Sequence, residues 1–281
     1  MSAALEGKRC VVTGANAGIG FEIAGALARD GADVTLVCRN PGRGAAAVDA
    51  IRDATSNARV RLAVCDVGDP AAVRACCETL CNGASRVDVL VNNAGVWAPR
   101  RQLTPAGREL MLAINHLGPF LMTNLLLDRL AGARVITTSS AAHAMARLDL
   151  DDLDAGGRWA AFRQYGVTKL ANILFTRELA RRARDRGVVA TSFHPGAVGS
   201  EFGQDYPGIM RFGMRLAKRF LRTPAQGADT GIWLATAPEA ATLSGQYVVD
   251  RRVKTPRGQG ADDQLAAALW DVSASLVGIP A

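Results

Sequence analysis

The segment TGANAGIG at residues 13–20 joins a short apolar run to a run with helical periodicity. Glycines in such a turn let the backbone approach a pyrophosphate closely, and the pyrophosphate then rests against the N-terminus of the helix. A glycine triplet also occurs in purely structural turns. Its place between a predicted strand and a predicted helix is what indicates a dinucleotide site.

Strand-like and helix-like segments alternate from this turn to the end of the chain. Ile19, Ile23, Ala26 and Leu27, for example, fall on one face of a helix. Near-continuous apolar strands separated by helices favour a parallel sheet covered on both faces, and right-handed crossovers make it doubly wound. We therefore predict an α/β Rossmann fold. Its seven parallel strands are predicted at residues 9–13, 33–38, 60–65, 87–92, 134–139, 188–193 and 246–249.

We expect a single domain over residues 1–281, because no linker, repeat or low-complexity tract interrupts the alternation. Two segments depart from the regular pattern. Residues 146–162 are predicted to be an acidic, solvated loop, and residues 201–223 form an insertion rich in Phe, Met and Arg. A final helix is predicted at residues 261–276.

Composition excludes several classes of protein. No apolar run approaches the ~20 residues that span a bilayer, and the short polar N-terminus shows no signal peptide. We therefore expect a cytoplasmic protein with no transmembrane segment. The six cysteines lie in the first 81 residues without C-x-x-C spacing, which favours reduced core thiols and no metal site. The net charge of +7 comes from scattered arginines with few aromatics, so no nucleic-acid partner is expected.

Three further motifs follow predicted strands: DV at residues 66–67, NNAG at 92–95 and PGAVGS at 195–200. With the T-G-x-x-x-G-I-G turn, they make the chain resemble the short-chain dehydrogenase/reductase family over nearly its whole length. A serine occupies the last motif position, where the family has threonine. The resemblance implies that these motifs bind the cofactor through Gly14, Asn16, Gly18, Ile19, Gly20, Asp66, Val67, Asn93, Ala94, Gly95, Pro195, Gly196, Val198 and Ser200.

The end of the second predicted strand indicates which dinucleotide binds. A site for NAD carries a carboxylate there for the ribose 2′-hydroxyl, whereas a site for NADP needs a cation for the 2′-phosphate. Here the acid position is Cys38 and the next residue is Arg39. Arginine makes charge-assisted contacts to phosphate, and Arg43 could assist. We therefore predict NADP(H), although a single arginine can equally be a surface residue.

Tyr165 and Lys169 lie four residues apart, on one face of a predicted helix. A free tyrosine has a pKa near ~10, and a nearby ammonium lowers it towards the range in which the phenol can exchange protons. Y-x-x-x-K alone arises often by chance. The resemblance adds Ser140 as a hydrogen-bond donor to the substrate oxygen, with Ser139 as the competing choice, and Asn115 as the holder of a water relay to Lys169. Tyr165 and Lys169 are also expected to contact the cofactor.

The function implied is hydride transfer between C4 of the nicotinamide and a carbonyl or a primary or secondary alcohol, with Tyr165 as general acid or base. Two alternatives use the same fold. A non-catalytic NADPH-binding sensor or scaffold would usually lack the tyrosine or the lysine. A nucleotide-sugar epimerase or dehydratase would resemble T-G-x-x-G-x-x-G at the first turn.

Finer resemblance is to the retinol dehydrogenase-like and WW-domain oxidoreductase-like branch. It rests on SSAAH at 139–143, the 25-residue spacing from Ser140 to Tyr165, KLANILF at 169–175 and LWDVS at 269–273. Many members of that branch carry a membrane anchor, and we expect this chain to act without one. The apolar residues of the insertion, taken as a substrate lid, suggest a hydrophobic ketone or a lipid-like aldehyde.

Other features are left with open or structural interpretations. The basic stripe of residues 211, 215, 218 and 222 is consistent with a membrane-surface helix, an anion-guiding lid or a solvated face. His116, His143 and His194 show no pattern for a metal or a charge relay, and structural roles are expected. The helices that contain Asn115 and Tyr165 could pair in a homo-oligomer.

Overall fold

A computed structural model describes residues 4–82, 86–198 and 221–280 of the chain. The strands in these ranges are β1 (Arg9–Thr13), β2 (Asp33–Cys38), β3 (Val60–Val64), β4 (Val89–Asn92), β5 (Arg134–Thr138), β6 (Val189–His194), β7 (Tyr247–Val249) and β8 (Arg252–Lys254). The α-helices in the same ranges are α1 (Gly18–Arg29), α2 (Pro41–Thr55), α3 (Pro70–Cys81), α4 (Leu110–Leu112), α5 (Gly118–Leu125), α6 (Ala161–Arg182), α7 (Pro224–Thr236) and α8 (Asp263–Val277).

All described strands belong to one sheet in the order β3-β2-β1-β4-β5-β6-β7-β8. The chain winds outward from β1 to β3, crosses back to β4 beside β1, and then winds outward again. Every neighbouring pair from β3 to β7 is parallel. This is the doubly wound α/β sheet that the alternating pattern predicts, and it brings the ends of β1 and β4 together at the point where the winding reverses.

The predicted strand number was one too low, because β8 pairs antiparallel with β7. Asp250 and Arg251 both adopt positive φ, at 52° and 57°, and form the two-residue connection of a β-hairpin. The two connecting residues, Asp250 and Arg251, include no glycine, so the usual Asn-Gly type of hairpin signal is missing. All three residues of β8 are exposed. Without a turn signal or a buried face, a strand of this length leaves no pattern to detect.

Helices cover both faces of the sheet, and each face has its own apolar core. Along β1, Val11 packs into one cluster while Cys10 and Val12 pack into the other, since successive strand side chains point to opposite faces. The first cluster includes Phe120 of α5 and Phe175 of α6. No helix in the described ranges is long and apolar enough to cross a membrane.

Between α4 and α5 the chain makes a π-helical turn, Ala113–Leu117, in which Gly118 N–H donates to Ala113 O. A π turn widens the helix by one residue and frees a backbone group from the regular ladder, and such turns are frequent at functional sites. Asn115 lies at its centre and is fully buried. The sequence predicts a helix here but not this local widening.

The acidic segment at 146–162 is an irregular loop up to residue 160, and α6 begins at Ala161. It is more closely packed than a solvated loop, since Leu148 and Leu153 are both buried. Asp154 accepts from Arg108 Nη1 at 2.7 Å and from Glu109 N at 2.8 Å. The carboxylate therefore holds the loop against the start of α4.

The final helix, α8, starts two residues later than predicted and packs on the outer side of α5 and α6. The Trp270 ring centroid is 4.9 Å from that of Phe120 and 5.8 Å from that of Phe175. The Arg182 guanidinium lies 4.8 Å above the same indole ring. Most of the predicted lid, residues 201–220, lies outside the described residues, and so do Ser200 and three members of the basic stripe, Arg211, Arg215 and Lys218.

Candidate active site

A cleft of about 470 Å³ opens at the carboxyl ends of β1, β4, β5 and β6. It lies where the winding of the sheet reverses, which is where open α/β sheets bind ligands. The described residues that line it are Gly14, Asn16, Ala17, Gly18, Ile19, Arg43, Asn93, Ala94, Gly95, Val96, Trp97, Thr138, Ser139, Ser140, Tyr165, Lys169, Pro195, Gly196 and Val198. Most of the predicted cofactor residues are therefore brought together.

The glycine turn forms one wall of this cleft, and two of its glycines have no tolerable substitute. Gly14 has φ of 64°, and an added Cβ would lie 2.8 Å from Ala94 Cα. A Cβ on Gly20 would lie 2.5 Å from both Asn93 Nδ2 and the Gly14 carbonyl oxygen. The turn is thus packed directly against the NNAG segment. Ala17 precedes α1 without a side-chain cap from any described residue, so the first-turn N–H groups remain available to an anion.

Thr13, which the sequence analysis did not select, joins the turn to the NNAG segment. Its Oγ1 donates to Val91 O at 3.2 Å and accepts from the backbone N–H groups of Asn93 and Ala94, each at 3.0 Å. Asn93 Nδ2 donates in return to Thr13 O at 3.1 Å. The sequence feature that could have identified Thr13 is its position at the end of β1, immediately before the first glycine of the turn.

The two arginines proposed for the 2′-phosphate occupy different positions. Arg39 follows β2, is 67% exposed in its side chain, and lies 3.9 Å from Asp66 Oδ2. Arg43, in the first turn of α2, lines the cleft, and its backbone N–H donates to the capping Asn40 Oδ1 at 2.9 Å. Gly20, Arg39, Asp66 and Val67 are predicted cofactor residues that do not line the cleft itself. Asp66 and Arg39 lie together outside it, where neighbouring strands β2 and β3 end.

Tyr165, Lys169 and Ser140 all line the cleft. The Lys169 ammonium lies 5.6 Å from the centre of the Tyr165 ring and donates to Thr138 O at 3.1 Å. Burial lowers the pKa of Lys169 from 10.5 to about 8. The lysine therefore loses its proton at a lower pH than an exposed lysine does, and its head group is directed at the end of β5.

The two neighbouring serines have different surroundings. Ser139 is buried, and its hydroxyl donates to Lys169 O at 2.8 Å, inside the structure. Ser140 is half-buried, and its Oγ accepts from Ala142 N–H at 3.2 Å. No described residue uses the hydroxyl proton of Ser140, so that proton can be donated to a substrate oxygen. The geometry favours Ser140 over Ser139 as the substrate contact.

Asn115 does not line the cleft, although it borders the residues that do. Its Oδ1 accepts from Val96 N–H at 2.7 Å, and its Nδ2 donates to Val96 O at 3.0 Å and to Thr168 Oγ1 at 3.1 Å. The side chain thus holds the segment that follows NNAG against α6. Its role in holding a water next to Lys169 stays a prediction.

A buried polar network lies behind Lys169. Asn172 Nδ2 donates to Thr138 O at 3.1 Å, so this carbonyl oxygen accepts hydrogen bonds from both Asn172 and Lys169. His116 Nε2 lies 2.9 Å from Ser273 Oγ of α8. Burial lowers the pKa of His116 to about 4, and the nearby Asn172 side chain opposes this effect. His116 is thus a neutral imidazole between Ser273 of the final helix and Asn172, which shares the Thr138 carbonyl oxygen with Lys169.

The second histidine, His143, lies directly behind Ser140. Its Nδ1 is 2.7 Å from the Ser140 carbonyl oxygen, and its Nε2 accepts from the Arg257 backbone N–H at 3.2 Å. The ring is buried and lies edge-on to Tyr247, with 5.0 Å between centroids. A structural role is expected for His143 from the sequence, and its place three residues after Ser140 is the feature that indicates a closer connection with the site.

Two aromatic side chains form an apolar part of the site, one lining the cleft and the other in contact with the first. Trp97 lines the cleft immediately after the NNAG segment, and its ring centroid is 5.8 Å from that of Phe162. Phe162 is 57% exposed. Exposed apolar side chains next to a cleft are typical of a binding surface. Trp97 and Phe162 were not selected from the sequence, although Trp97 directly follows a recognised motif.

Arg222, the described member of the basic stripe, lies in an isolated bridge with Val198 and not in a helix. Its Nη1 donates to Asp250 Oδ1 at 2.6 Å and to Pro195 O at 3.4 Å. Gly196 has φ of 84°, and an added Cβ would meet the Arg222 side chain at 2.6 Å. Arg222 therefore supports the Pro195–Gly196 corner from behind and is not part of a helical charged face.

Comparison with known proteins agrees with this architecture. The sequence profile of the short chain dehydrogenase family matches residues 8–207. Retinol dehydrogenase 11 of Mus musculus is 39% identical over 279 residues, which cover 98% of this chain and 88% of the relative. These findings define a dinucleotide-binding α/β oxidoreductase.

Two solved structures share the fold. An uncharacterised protein from Mycobacterium paratuberculosis superposes with a TM-score of 0.79 at 33% identity, covering 99% of this chain and 98% of that one. A short chain dehydrogenase from Burkholderia cenocepacia, in complex with NADP, superposes with a TM-score of 0.70 at 27% identity, covering 88% and 97%. The chain belongs to the short-chain dehydrogenase/reductase family, and its relatives include retinol dehydrogenases.

Proposed function

We propose that this protein is an NADP(H)-dependent oxidoreductase that interconverts a carbonyl and an alcohol on an apolar substrate. The observation that carries the proposal is the convergence of Ser140, Tyr165 and Lys169 in the same cleft as the glycine turn. Three polar groups with distinct roles meet where a dinucleotide and a second molecule can both be accommodated.

The residues of the cleft fit a nicotinamide dinucleotide. Gly18 lines the cleft, and no heavy atom of the described residues lies within 4 Å of a Cβ added there, so the space beside the turn is open to a pyrophosphate. The N-terminus of α1, beside Gly18 and Ile19, would hold the pyrophosphate, and Lys169 with Tyr165 would hold the nicotinamide ribose. When bound, the reduced cofactor supplies the hydride that reduces the carbonyl carbon.

The protein's own residues move the proton and stabilise the developing charge. Tyr165 donates its phenolic proton to the substrate oxygen during reduction and accepts it during oxidation. The Ser140 hydroxyl donates to the same oxygen, because its Oγ already accepts from Ala142 N–H. Lys169, held by Thr138 O, places its positive charge beside the Tyr165 ring and favours the phenolate.

The preference for NADP(H) is supported by charge at the end of β2. Cys38 is buried where an NAD-binding site would present a carboxylate, and Arg39 and Arg43 lie just beyond it. The contact of Arg39 with Asp66 is long and exposed, and such pairs contribute little free energy. Arg39 can therefore turn to a 2′-phosphate at small cost.

An apolar substrate is supported by the Trp97–Phe162 pair, of which Trp97 lines the cleft. A small polar carbonyl would leave these side chains in water, whereas a long or polycyclic substrate would cover them. The relative named retinol dehydrogenase agrees with this choice of substrate class.

Cofactor preference is tested by fluorescence titration of the purified protein with NADPH and with NADH. We expect tighter binding of NADPH, a weakening of at least tenfold in Arg39→Asp, and unchanged or improved NADH binding in that variant. Arg43→Ala would show whether the second arginine shares the contact. Equal affinity of the wild type for both dinucleotides would contradict the preference.

The reaction is tested by following NADPH oxidation with a series of aldehydes and ketones of increasing apolar size. We expect kcat/KM to rise with apolar size in the wild type, and the rise to be lost in Trp97→Ala. Tyr165→Phe keeps the ring and removes the proton donor, so its turnover should fall by several orders of magnitude with cofactor binding retained. NADPH binding without turnover of any substrate would favour a non-catalytic sensor.

A further inference from the structure

We propose that His143 is a positioning residue for Ser140: as a neutral imidazole protonated on Nδ1, it ties the serine to the chain segment that follows β8. The inference rests on the proposed function, in which Ser140 contacts the substrate oxygen. It concerns a different residue and makes a claim that can be measured without turnover.

The two hydrogen bonds of His143 allow only one state of the ring. The Arg257 backbone N–H, 3.2 Å from Nε2, can only donate, so Nε2 must carry a lone pair. The Ser140 carbonyl oxygen, 2.7 Å from Nδ1, can only accept, so Nδ1 must carry the proton. Together these partners specify the neutral Nδ1–H tautomer.

The surroundings keep the ring neutral and fixed. His143 is 4% exposed and packs edge-on against Tyr247, the first residue of β7. Burial lowers the pKa of His143, the Ser140 hydrogen bond opposes this, and the Arg257 charge adds to the lowering. The other titratable groups that face it are Tyr247, whose pKa burial raises to about 12, and His194, whose pKa is lowered by burial, by Arg222 and by His143 itself. Arg222 is in turn paired with Asp250.

The effect on Ser140 is to hold its peptide from both sides. Its carbonyl oxygen accepts from the His143 ring and also from the His143 backbone N–H at 3.2 Å, while its Oγ accepts from Ala142 N–H. The short turn Ala141–Met145 would keep the backbone bond without the imidazole, but no other hydrogen bond among the described residues joins this turn to the segment that follows β8. The imidazole supplies that link, across 114 positions of sequence.

Protonation of His143 would place two donors, Nε2–H and Arg257 N–H, against each other. One of them would lose its partner in a buried site, and the link would open. The Ser140 turn would then lose its own hydrogen bond to the segment after β8, while the bonds between Leu148 and Gln259 would still tie the following loop to that segment. We therefore expect turnover to fall on the acid side of the pH profile as His143 gains a proton.

A matched pair at position 257 tests the link without altering the histidine. Arg257 has φ of −82°, near the roughly −65° that proline requires, so Arg257→Pro removes the N–H donor with little backbone change. Arg257→Ala retains the donor and removes only the side chain. We expect Arg257→Pro to lower kcat about tenfold with NADPH affinity unchanged, and Arg257→Ala to keep kcat at its plateau value. Equal kcat in the two variants would overturn the proposal.

Variants of the histidine give the second readout. His143→Phe keeps the ring against Tyr247 without either hydrogen bond, and its kcat should fall about tenfold and lose the acid limb that the wild type shows. His143→Asn can still donate to Ser140 O and should recover part of the loss. A Phe variant with wild-type kcat and an unchanged acid limb would contradict a positioning role.

The tautomer itself is measured by nitrogen-15 NMR of the imidazole rings. The chain has three histidines, so single variants at His116 and His194 suffice for assignment. We expect His143 to be protonated on Nδ1 and to bear a lone pair on Nε2 at neutral pH. A ring protonated on Nε2 would refute the inference whatever the activity. Absence of turnover in the wild type, with the expected tautomer present, would instead refute the proposed function alone.

Discussion

Lys169 combines complete burial with a single described hydrogen-bond acceptor, the Thr138 carbonyl oxygen, which it shares with Asn172. The ammonium is therefore poorly solvated, and this is why the pKa of Lys169 is lowered to about 8. A lysine whose pKa is lowered towards neutral pH is better suited to proton exchange than an exposed lysine. Local spacing places it beside Tyr165, but its environment comes from β5 and the π turn.

At the residue scale, we predict that kcat/KM for carbonyl reduction falls as pH rises through about 8. Lys169 is protonated below this pKa and uncharged above it. Without its charge, Lys169 no longer favours the Tyr165 phenolate and holds the nicotinamide ribose less well. The measurement is a pH profile of kcat/KM at saturating NADPH. Lys169→Met, which keeps the chain length without the charge, should show low activity without this limb. A wild-type profile that stays flat well above pH 8 would contradict the prediction.

The neighbouring serines provide a second prediction at this scale. Ser140→Ala should lower kcat by roughly 10²-fold or more, as for the loss of a donor to a developing oxyanion, with little change in stability. Ser139→Ala should lower the free energy of unfolding by about 1 kcal/mol, because its bond to Lys169 O is buried, and should keep most of the activity. Steady-state kinetics and urea unfolding on both variants decide the matter. A larger kinetic loss in Ser139→Ala would reverse the assignment.

At the scale of elements, the β1–turn–α1 unit is held to β4 by close backbone packing. The Thr13 hydroxyl accepts a hydrogen bond from the Asn93 backbone N–H. A methyl group at Gly20 would not fit against Asn93 and the Gly14 carbonyl. We call this β1–turn–α1 unit the cradle. It can pack this closely against β4 only because Gly20 has no side chain. α1 also contains a glycine, Gly25, that lies in open space: no heavy atom of the described residues is within 4 Å of its added Cβ.

These two glycines form a matched pair for testing the cradle. Gly20→Ala should weaken NADPH binding at least tenfold and destabilise the fold, because its Cβ would lie 2.5 Å from two polar atoms. Gly25→Ala, in the same helix, should raise the free energy of unfolding by about 0.5–1 kcal/mol and leave cofactor binding unchanged. Cofactor titration and urea unfolding provide both values. Similar behaviour of the two variants would show that crowding at position 20 is unimportant.

At the scale of the whole molecule, the final helix α8 is coupled to the centre of the fold through His116. The imidazole is buried next to Ser273 and Asn172, and Trp270 of the same final helix packs against Phe120 and Phe175. His116 remains neutral because no charged partner among the described residues compensates its burial. Its protonation therefore opposes the docking of α8 onto α5 and α6.

This coupling predicts a dependence of stability on pH. The folded-state pKa of His116, about 4, lies below the ordinary value of 6.5, so the folded protein binds this proton less tightly than the unfolded chain. The contribution is fully present above pH 6.5 and is lost as pH falls towards 4, by roughly 3 kcal/mol. Urea unfolding of the wild type and of His116→Gln across this range isolates it from the carboxylates. A difference between the two proteins that does not change with pH would contradict the prediction.

Local pattern by itself determined the alternation of strands and helices, the glycine turn, and the pairing of Tyr165 with Lys169. The bounds of β1 and β2 agree with the predicted ranges, and five other predicted strands begin or end within two residues of those observed. These features follow from periodicity and from side chains a few residues apart, which a sequence displays directly. Family motifs extended the same reasoning to most residues of the cleft.

Only the tertiary structure decided which serine has its hydroxyl already committed to a buried hydrogen bond, what holds the other one and where the sheet ends. Ser139 turns towards Lys169, His143 reaches Arg257, and Trp97 meets Phe162, each across tens of residues that no local pattern connects. β8 has no buried face and so leaves no periodic signal. The physical reason is common to all of them: these orientations are set by hydrogen bonds and packing between distant segments, and such partners exist only once the chain has folded.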